Sequence, residues 1–226
     1  MRHTCRVTRR LTHRPASPDK PAPHTPLVVI VDTSMTNDIL DSVPYDSPIG
    51  DLTLVGSEHG LRAILWPRDS PERAGLRDLS LRPRTSGILS AAADQLDEYF
   101  CRARTVFDVP LDLKGTAFQV AAWRELVAIP YGETRTYAEQ AAVLDRPRAF
   151  RAVGAANGRN PISIVVPCHR VVGSDGGLHG FAGGVETKQW LLEHESANAR
   201  PRVPSSKRAS PEESASPARA GRNRGT

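Results

Sequence analysis

Cysteine is scarce in this chain of 226 residues, and Cys5, Cys101 and Cys168 lie far apart. An odd number of distant cysteines is not typical of the disulfide frameworks that hold small secreted proteins together. No two cysteines have the Cys-x-x-Cys spacing of structural zinc sites, and no other ligand set is evident. The sequence therefore predicts a protein that uses neither a metal nor a cofactor.

Long hydrophobic runs are absent as well. The longest run near the start, residues 27–31, is shorter than a membrane-spanning helix or the core of a signal peptide requires. We therefore expect a cytoplasmic protein without a membrane partner.

The net charge of +5 is concentrated at the two ends of the chain. Residues 1–34 carry about +4 and residues 197–226 about +5, so the middle is close to −4. Such basic ends are usually solvated, but they can also attract the phosphates of nucleic acids. Because both ends lack a hydrophobic pattern, we expect residues 1–43 and 197–226 to be disordered. Met35, just before the patterned region, is a second candidate start of translation.

Residues 44–110 predict a small α/β scaffold domain. Turn residues separate two short aliphatic runs within residues 45–66, which is typical of a β-hairpin. The charged and proline-containing residues 67–84 predict a loop, residues 86–101 a helix with one apolar face, and residues 106–109 a further strand. No cluster of potential catalytic residues occurs in this part.

Residues 111–196 predict a second, mostly helical domain. Thr116 can cap its first helix, and Thr136 with Glu139 fits the capping box of a second. Pro147 suits the first position of a third helix over residues 148–156. A last helix is expected from Val185 to about Glu195.

The second and third of these helices are short and joined by a tight turn. Most such pairs are ordinary packing units, but the same arrangement forms helix-turn-helix DNA-binding domains. The third helix is slim and basic, which favours close approach to DNA, including its narrow minor groove. Its small residues are Ala149, Ala152, Gly154 and Ala155, and its arginines are Arg148, Arg151 and the following Arg159.

Cys168 stands at the centre of the most informative stretch, residues 161–172. The β-branched residues 162–166 predict a short buried strand, which Pro167 ends. A cysteine becomes a nucleophile when a nearby base or positive charge favours its thiolate, and His169 and Arg170 follow Cys168 directly. A lone Cys-His pair is more often structural, and the glycine-rich residues 173–184 suit either a flexible loop or close approach to a flat ligand.

Taken together, the motifs of this chain resemble the O6-alkylguanine-DNA alkyltransferase family, also called methylated-DNA–protein-cysteine methyltransferases. They occur in the family's order over about residues 44–196, and Pro-Cys-His-Arg at residues 167–170 is the most specific of them. The matching segments are Gly115-Thr-Ala-Phe-Gln119, Ile129-Pro-Tyr-Gly-Glu-Thr134, Arg151-Ala-Val-Gly-Ala155, Asn160-Pro161, Pro167-Cys-His-Arg-Val-Val172, Gly183-Gly184, Lys188 and Leu191-Leu-Glu-His-Glu195.

The resemblance implies an α+β protein in which a ribonuclease-H-like α/β domain precedes a winged-helix-like, helix-turn-helix catalytic domain that binds DNA. It also implies a suicide repair enzyme that moves an alkyl group from O6 of guanine in double-stranded DNA to its own cysteine, here Cys168. The target base would be flipped out through the minor groove. A monomer is expected, with O4-alkylthymine as a further candidate substrate.

Catalytic roles follow from the same resemblance. His169 would take the thiol proton through a bridging water, and Glu195 would hold the His169 ring in its basic tautomer. Asn160 would tie the cysteine turn together, and Tyr137 would donate its hydroxyl to the departing guanine.

The remaining roles concern the substrate. Arg151 would fill the space that the flipped base leaves. The backbone carbonyls of Val171 and Cys168 would accept from the exocyclic amine of guanine, and the backbone N–H of Ala182 would face O6. Phe181 would stack on the base, Gly183 would leave room for the alkyl group and Lys188 would support the loop. The expected substrate-binding residues are thus Val171, Phe181, Ala182, Gly183 and Lys188.

Two positions depart from the family pattern. Phe181 stands where tyrosine is common, and the missing hydroxyl would weaken the step by about 1 kcal/mol. Phe150 stands where alanine is usual, and its ring can clash with DNA, act as a wedge or turn into the core. Two alternative functions stay open: a lesion-binding protein of the same fold, and a Cys-His-Glu hydrolase of small molecules.

Overall fold

The computed structural model describes residues 39–76 and 79–197. The predictions made for residues 1–38 and 198–226, including the disordered ends and the alternative start at Met35, lie outside these residues. Among the described helices, none has the length and apolar character that crossing a membrane requires.

The first domain is built on a four-stranded sheet. Its strands are β1 (Leu40–Ser47), β2 (Gly50–Gly56), β3 (Leu61–Leu65) and β4 (Leu81–Pro83), in the order β3-β2-β1-β4. The predicted hairpin is confirmed, since β2 pairs antiparallel with both β1 and β3. Strand β1 begins before residue 44, so residues 40–43 of the predicted extension are ordered into the sheet, and β4 lies in the predicted loop.

Helix α1 (Gly87–Phe100) covers this sheet, as the pattern over residues 86–101 predicts. The side chain of Ser86 caps it, and Leu89, Leu96 and Tyr99 are buried. The strand predicted over residues 106–109 is wrong. The backbone N–H of Asp108 donates to the side chain of Gln95 at 3.0 Å rather than to a neighbouring strand.

The second domain contains four helices: α2 (Ala117–Val127), α3 (Tyr137–Val143), α4 (Phe150–Gly158) and α5 (Val185–Ser196). The predicted caps at Thr116 and Thr136 are both present as capping boxes. Helix α4 begins two residues later than predicted and lacks a side-chain cap. The backbone N–H of Ala149 donates to the carbonyl of Arg146 at 2.8 Å, so Pro147 lies in a turn rather than in the helix.

Helices α3 and α4 form a packed pair against α2. The amide of Asn157 donates to Gln140 at 2.8 Å, and Gln140 donates to the carbonyl of Ala122 at 2.9 Å. The indole of Trp123 donates to the carbonyl of Ala156 at 2.8 Å. These buried bonds fix the orientation of α4, so its opposite face points outward.

The strand predicted over residues 162–166 is wrong, although the whole segment is buried as expected. Ile164 has φ of +78°, and the N–H of Val166 donates to the carbonyl of Ile162 at 2.9 Å. The segment is therefore a tight turn, because a positive φ breaks the extended backbone that a strand needs. It is anchored on β3, where the N–H of Ile64 donates to the carbonyl of Pro161 at 2.9 Å.

A small parallel sheet, β5 (Arg135–Thr136) and β6 (Val171–Val172), joins the start of α3 to the chain beyond the cysteine. Cys168 itself begins a one-turn 3-10 helix, Cys168–Arg170. The turn, the short sheet and the first turn of α3 thus meet at one place.

Candidate active site

Cys168 lies at the end of the buried turn and is only 6% exposed. Its thiol is free, whereas Cys101 is disulfide-bonded. Asn160 closes the turn, since its side-chain amide donates to the carbonyl of Val166 at 2.7 Å and its oxygen accepts from the N–H of Ile162 at 3.0 Å. The buried amide of Asn160 therefore holds the turn that positions the sulfur.

Glu195, on the last turn of α5, is 1% exposed, and its carboxylate joins several hydrogen-bond donors in a buried network. Its Oε1 accepts from the hydroxyl of Tyr99 at 2.9 Å and lies 2.9 Å from Nε2 of His169. Arg170 donates to both carboxylate oxygens at 2.9 Å. The backbone N–H of Gly132 donates to Oε2 at 3.0 Å. Burial raises the pKa of Glu195, but His169 and Arg170 outweigh it and hold that pKa far below its ordinary value.

His169 is completely buried beside this carboxylate. An ionised carboxylate only accepts hydrogen bonds, so Nε2 of His169 carries the proton and Nδ1 is the acceptor nitrogen. Nδ1 is buried and has no hydrogen-bond partner among the described residues. Burial lowers the pKa of His169 against the opposing effect of Glu195, which keeps the ring neutral and able to take up a proton.

Burial also raises the pKa of the Cys168 thiol. The polar side chains of Asn160 and Ser163 and the positive charges of Lys188 and Arg73 act in the opposite direction but are outweighed. The resting sulfur is therefore protonated near neutral pH. It becomes a nucleophile only when a base removes its proton.

This protonated state has a consequence that can be measured. Iodoacetamide should modify Cys168 of the free protein slowly at neutral pH, with a half-maximal rate above about pH 8.5, the ordinary pKa of a thiol. The mass of the Cys168 peptide after timed exposure over a pH series gives the profile, and the urea-unfolded chain provides the unshifted control. A folded-state profile centred below that of the unfolded chain would contradict the assignment.

Lys188 is fully buried and ties the glycine-rich loop to α5. Its Nζ donates to the carbonyl of Val171 at 2.6 Å and to that of His179 at 2.9 Å. The same nitrogen lies 5.8 Å from the centre of the Tyr137 ring. The hydroxyl of Tyr137 donates to the carbonyl of His179 at 3.2 Å, so the first turn of α3 also contacts this loop.

Phe181, Ala182 and Gly183 lie on the far side of the loop, partly buried. A Cβ added to Gly183 would lie 2.7 Å from the ring of Trp66, at the end of β3. The absence of a side chain at Gly183 thus lets the loop pack directly against an indole from the first domain. The Phe181 ring is centred 5.5 Å from Trp66 and 6.4 Å from His169, so it links this indole to the histidine.

Helix α4 presents the predicted DNA-binding residues on its outer side. Val153, Ala156 and Asn157 form the buried face. Of the seven residues that the sequence singled out, Gly154 packs towards Tyr137 and Ala149 is the N-cap. The exposed members are Arg148, Arg151, Ala152, Ala155 and Arg159.

Sequence reasoning missed three residues of the site: Tyr99, Arg73 and Trp66. Arg73 donates to Asp69 and to the backbone carbonyl of Asn160. Its only sequence signal was a charge within a loop, while Tyr99 and Trp66 read as ordinary core residues. The sequence suggested Arg170 as a charge that favours the Cys168 thiolate, but its buried side chain pairs with Glu195 instead.

The described residues contain no group of three or more His, Cys, Asp or Glu side chains placed to hold a metal ion. The chemistry available here is that of a thiol, a neutral imidazole and an ionised carboxylate, with the Phe181 ring of the glycine-rich loop beside the imidazole. This set suits nucleophilic attack by sulfur with proton removal by the imidazole.

Comparison with known proteins identifies both domains. Residues 44–113 match the family model described as 6-O-methylguanine DNA methyltransferase, ribonuclease-like domain, and residues 117–197 match the DNA binding domain of the same name. The methylated-DNA–protein-cysteine methyltransferase of Mycobacterium tuberculosis is 49% identical over 154 residues, which cover 68% of this chain and 91% of that protein. Its namesake from Methanosarcina barkeri is 44% identical, over 69% of this chain and 96% of that protein.

Solved structures are similar as well. The crystal structure of Mycobacterium tuberculosis OGT in complex with DNA is 45% identical, with a TM-score of 0.62, over 72% of this chain and 95% of that one. The crystal structure of Mycobacterium tuberculosis O6-methylguanine methyltransferase is also 45% identical, with a TM-score of 0.63.

Proposed function

This chain belongs to the methylated-DNA–protein-cysteine methyltransferase family, and from that premise we propose that it repairs DNA by moving an alkyl group from O6 of guanine to the sulfur of Cys168. The observation that carries this assignment is a buried free thiol followed directly by a histidine whose Nε2 is 2.9 Å from the carboxylate of Glu195. Each molecule acts once, because water does not cleave the thioether that forms.

The proposed reaction is a displacement at the alkyl carbon. Nδ1 of His169 takes the thiol proton through one water, and the imidazolium that forms is stabilised by Glu195. The sulfur–carbon bond forms while the carbon–O6 bond breaks, and the electron pair leaves with the guanine. Tyr137 donates its hydroxyl proton to the departing base and is reprotonated by solvent.

The entry of the base changes one contact of the site and uses others that are already in place. The hydroxyl of Tyr137, which donates to His179 at 3.2 Å, has to turn to the guanine ring. The carbonyl of Val171 accepts from Lys188 at 2.6 Å and keeps a second lone pair for the exocyclic amine of guanine. Lys188 therefore positions this carbonyl, while the N–H of Ala182 would face O6.

We propose that α4 approaches DNA through the minor groove. Its exposed face carries small side chains, which allow the backbone to lie close to the sugars, and arginines that bind phosphates. Arg151 would enter the stack where the flipped base has left. We further propose that the protein acts as a monomer, with cytoplasmic location still a prediction from sequence.

The decisive experiment mixes the protein with a duplex that carries a single O6-methylguanine and measures the mass of the Cys168 peptide. We expect a gain of one methyl group that saturates at one per protein molecule. Repeated turnover without modification of Cys168 would favour the hydrolase, whereas stable binding without transfer would favour a lesion-binding protein.

Replacing Arg151 by alanine tests the approach to DNA. We expect methyl transfer from duplex DNA to slow about tenfold or more, since ~1.4 kcal/mol of stabilisation of the flipped state is a tenfold change. Transfer from the free base O6-methylguanine should fall much less, because that substrate needs no flipping. Single-turnover rates with the two substrates give the comparison.

Arg159→Ala is the matched control, because it removes the same charge from the other end of the same helix. It should weaken duplex binding in a salt-dependent way without the selective loss of transfer from the duplex. If Arg151→Ala slows both substrates equally, the residue does not act in base flipping.

A further inference from the structure

Phe150 is an unusual residue to find at the surface. Its ring opens helix α4 and is 44% exposed, whereas the other strongly exposed large hydrophobics of residues 39–76 and 79–197 are aliphatic. Of the three positions that the sequence left open for this ring, burial in the core is therefore wrong. A single exposed apolar side chain is common at protein surfaces, so the role of this ring depends on what surrounds it.

The ring forms part of a groove that leads from α4 to the glycine-rich loop. Two adjoining pockets, of about 280 and 330 Å³, share Phe150, Tyr137 and His179 as lining residues. The first pocket continues along α4 past Gly154 and Gly158. The second extends in the opposite direction, to Asp175.

Charge decides which side of the ring can face DNA. The residues that line the first pocket include no carboxylate, and Arg151 places its guanidinium 5.6 Å from the centre of the Phe150 ring. Arg148 and Arg159, at the two ends of α4, are also exposed. The second pocket contains the carboxylate of Asp175, which repels phosphates. A polyanion therefore fits the first side, along α4.

We propose that the Phe150 ring enters the minor groove beside Arg151 and packs on the sugar and base next to the flipped nucleotide. The inference rests on the proposed repair function and names a second wedge for it. An apolar side chain between base steps stabilises an opened duplex, and its contact with the Arg151 guanidinium directs both side chains to the same step. Tyr137, on the other wall of the groove, is then next to the base as it leaves the stack.

The test compares Phe150→Ala and Phe150→Leu with the parent protein. Methylation of Cys168 is measured by mass in single-turnover reactions, first with a duplex carrying one O6-methylguanine and then with the free base O6-methylguanine. Val143→Ala is the matched control, because Val143 is 51% exposed on α3 and lines neither pocket. Thermal unfolding of every variant verifies that the fold is kept.

We expect Phe150→Ala to slow transfer from the duplex about tenfold while transfer from the free base changes by less than about threefold. The rate of Phe150→Leu with the duplex should lie between the rates of the parent protein and of Phe150→Ala, since leucine keeps apolar volume but not the flat face. In a Cys168→Ala background, 2-aminopurine next to the lesion should change its fluorescence on binding, and Phe150→Ala should remove most of that change.

Equal losses with duplex and free base would overturn the proposal, because they would make Phe150 a wall of the base pocket. An unchanged or faster reaction with the duplex would also overturn it, by excluding the ring from the groove. If the parent protein is methylated by neither substrate, the proposed repair function is wrong, and the proposed role of Phe150 is wrong as well.

Discussion

Replacing Cys168 by alanine is expected to abolish methyl transfer from O6-methylguanine DNA and to keep the affinity for that duplex within about threefold of the parent value. Transfer should vanish because Cys168 is the free cysteine among the described residues, and it directly precedes His169, whose Nδ1 is the free acceptor. Binding should persist because α4 and its arginines lie outside the cysteine turn. Gel shift with the lesion duplex and the mass of the peptide that contains position 168 measure the two quantities separately.

Folding is the main alternative explanation for any loss of binding. Cys168 is buried, but alanine leaves only a small cavity, and the turn is held by Asn160 rather than by the sulfur. Cys168→Ser, which keeps the size of the side chain, is the control for this cavity. If both variants melt like the parent protein but no longer bind the duplex, the sulfur has a role in binding that the proposed mechanism does not contain.

Replacing Glu195 by glutamine is expected to have the second largest effect. The change leaves Arg170 buried without its counter-charge, and removing one partner of a buried ion pair costs about 3–5 kcal/mol. For a chain of this size, this corresponds to a fall in melting temperature of about 10 °C. At temperatures where the variant is still folded, methyl transfer should slow about 100-fold, since the amide does not hold His169 in the tautomer that accepts the thiol proton.

Arg170→Gln separates the two effects. It breaks the same ion pair, yet it keeps the contact between His169 and Glu195, which measures 2.9 Å. We expect a similar loss of stability but a much smaller loss of transfer rate at a temperature where both variants are folded. Equal losses of rate would mean that Glu195 contributes through stability alone.

The pH dependence of unfolding gives an independent readout for Glu195. His169 and Arg170 lower its folded-state pKa, so the unfolded state binds protons first as the pH falls. The stability that the ionised carboxylate contributes is complete above about pH 4.3, the ordinary pKa of glutamate, and is lost as the pH falls towards the depressed value. Glu195→Gln should therefore flatten the acid side of the stability curve, whereas Val143→Ala should not.

Local signals in this chain predict local structure well. The capping boxes at Thr116 and Thr136 each involve residues three positions apart, so the sequence contains both partners. Helix α1 and the hairpin follow from hydrophobic periodicity and turn residues for the same reason. The later start of α4 escaped prediction because a backbone hydrogen bond, from Ala149 to Arg146, decided it and leaves no pattern in the side chains.

The buried segment of residues 162–166 illustrates where such reasoning fails. Its β-branched composition favours a strand, and its burial was predicted correctly. Asn160 satisfies the backbone groups of Ile162 and Val166 and so closes a turn instead. Tertiary hydrogen bonding therefore overrides β-propensity here.

The sequence alone predicted the hairpin, the helices and the two domains, and it singled out Cys168 with its neighbouring histidine, because each of these depends on residues close together in the chain. Only the tertiary structure decided what surrounds them. Tyr99 reaches Glu195 across 96 positions, and Arg73 reaches Asn160 across 87. Trp66 packs against Gly183, and Phe150 remains at the surface. Such contacts join distant segments through packing and buried charge, and no short stretch of sequence contains both partners.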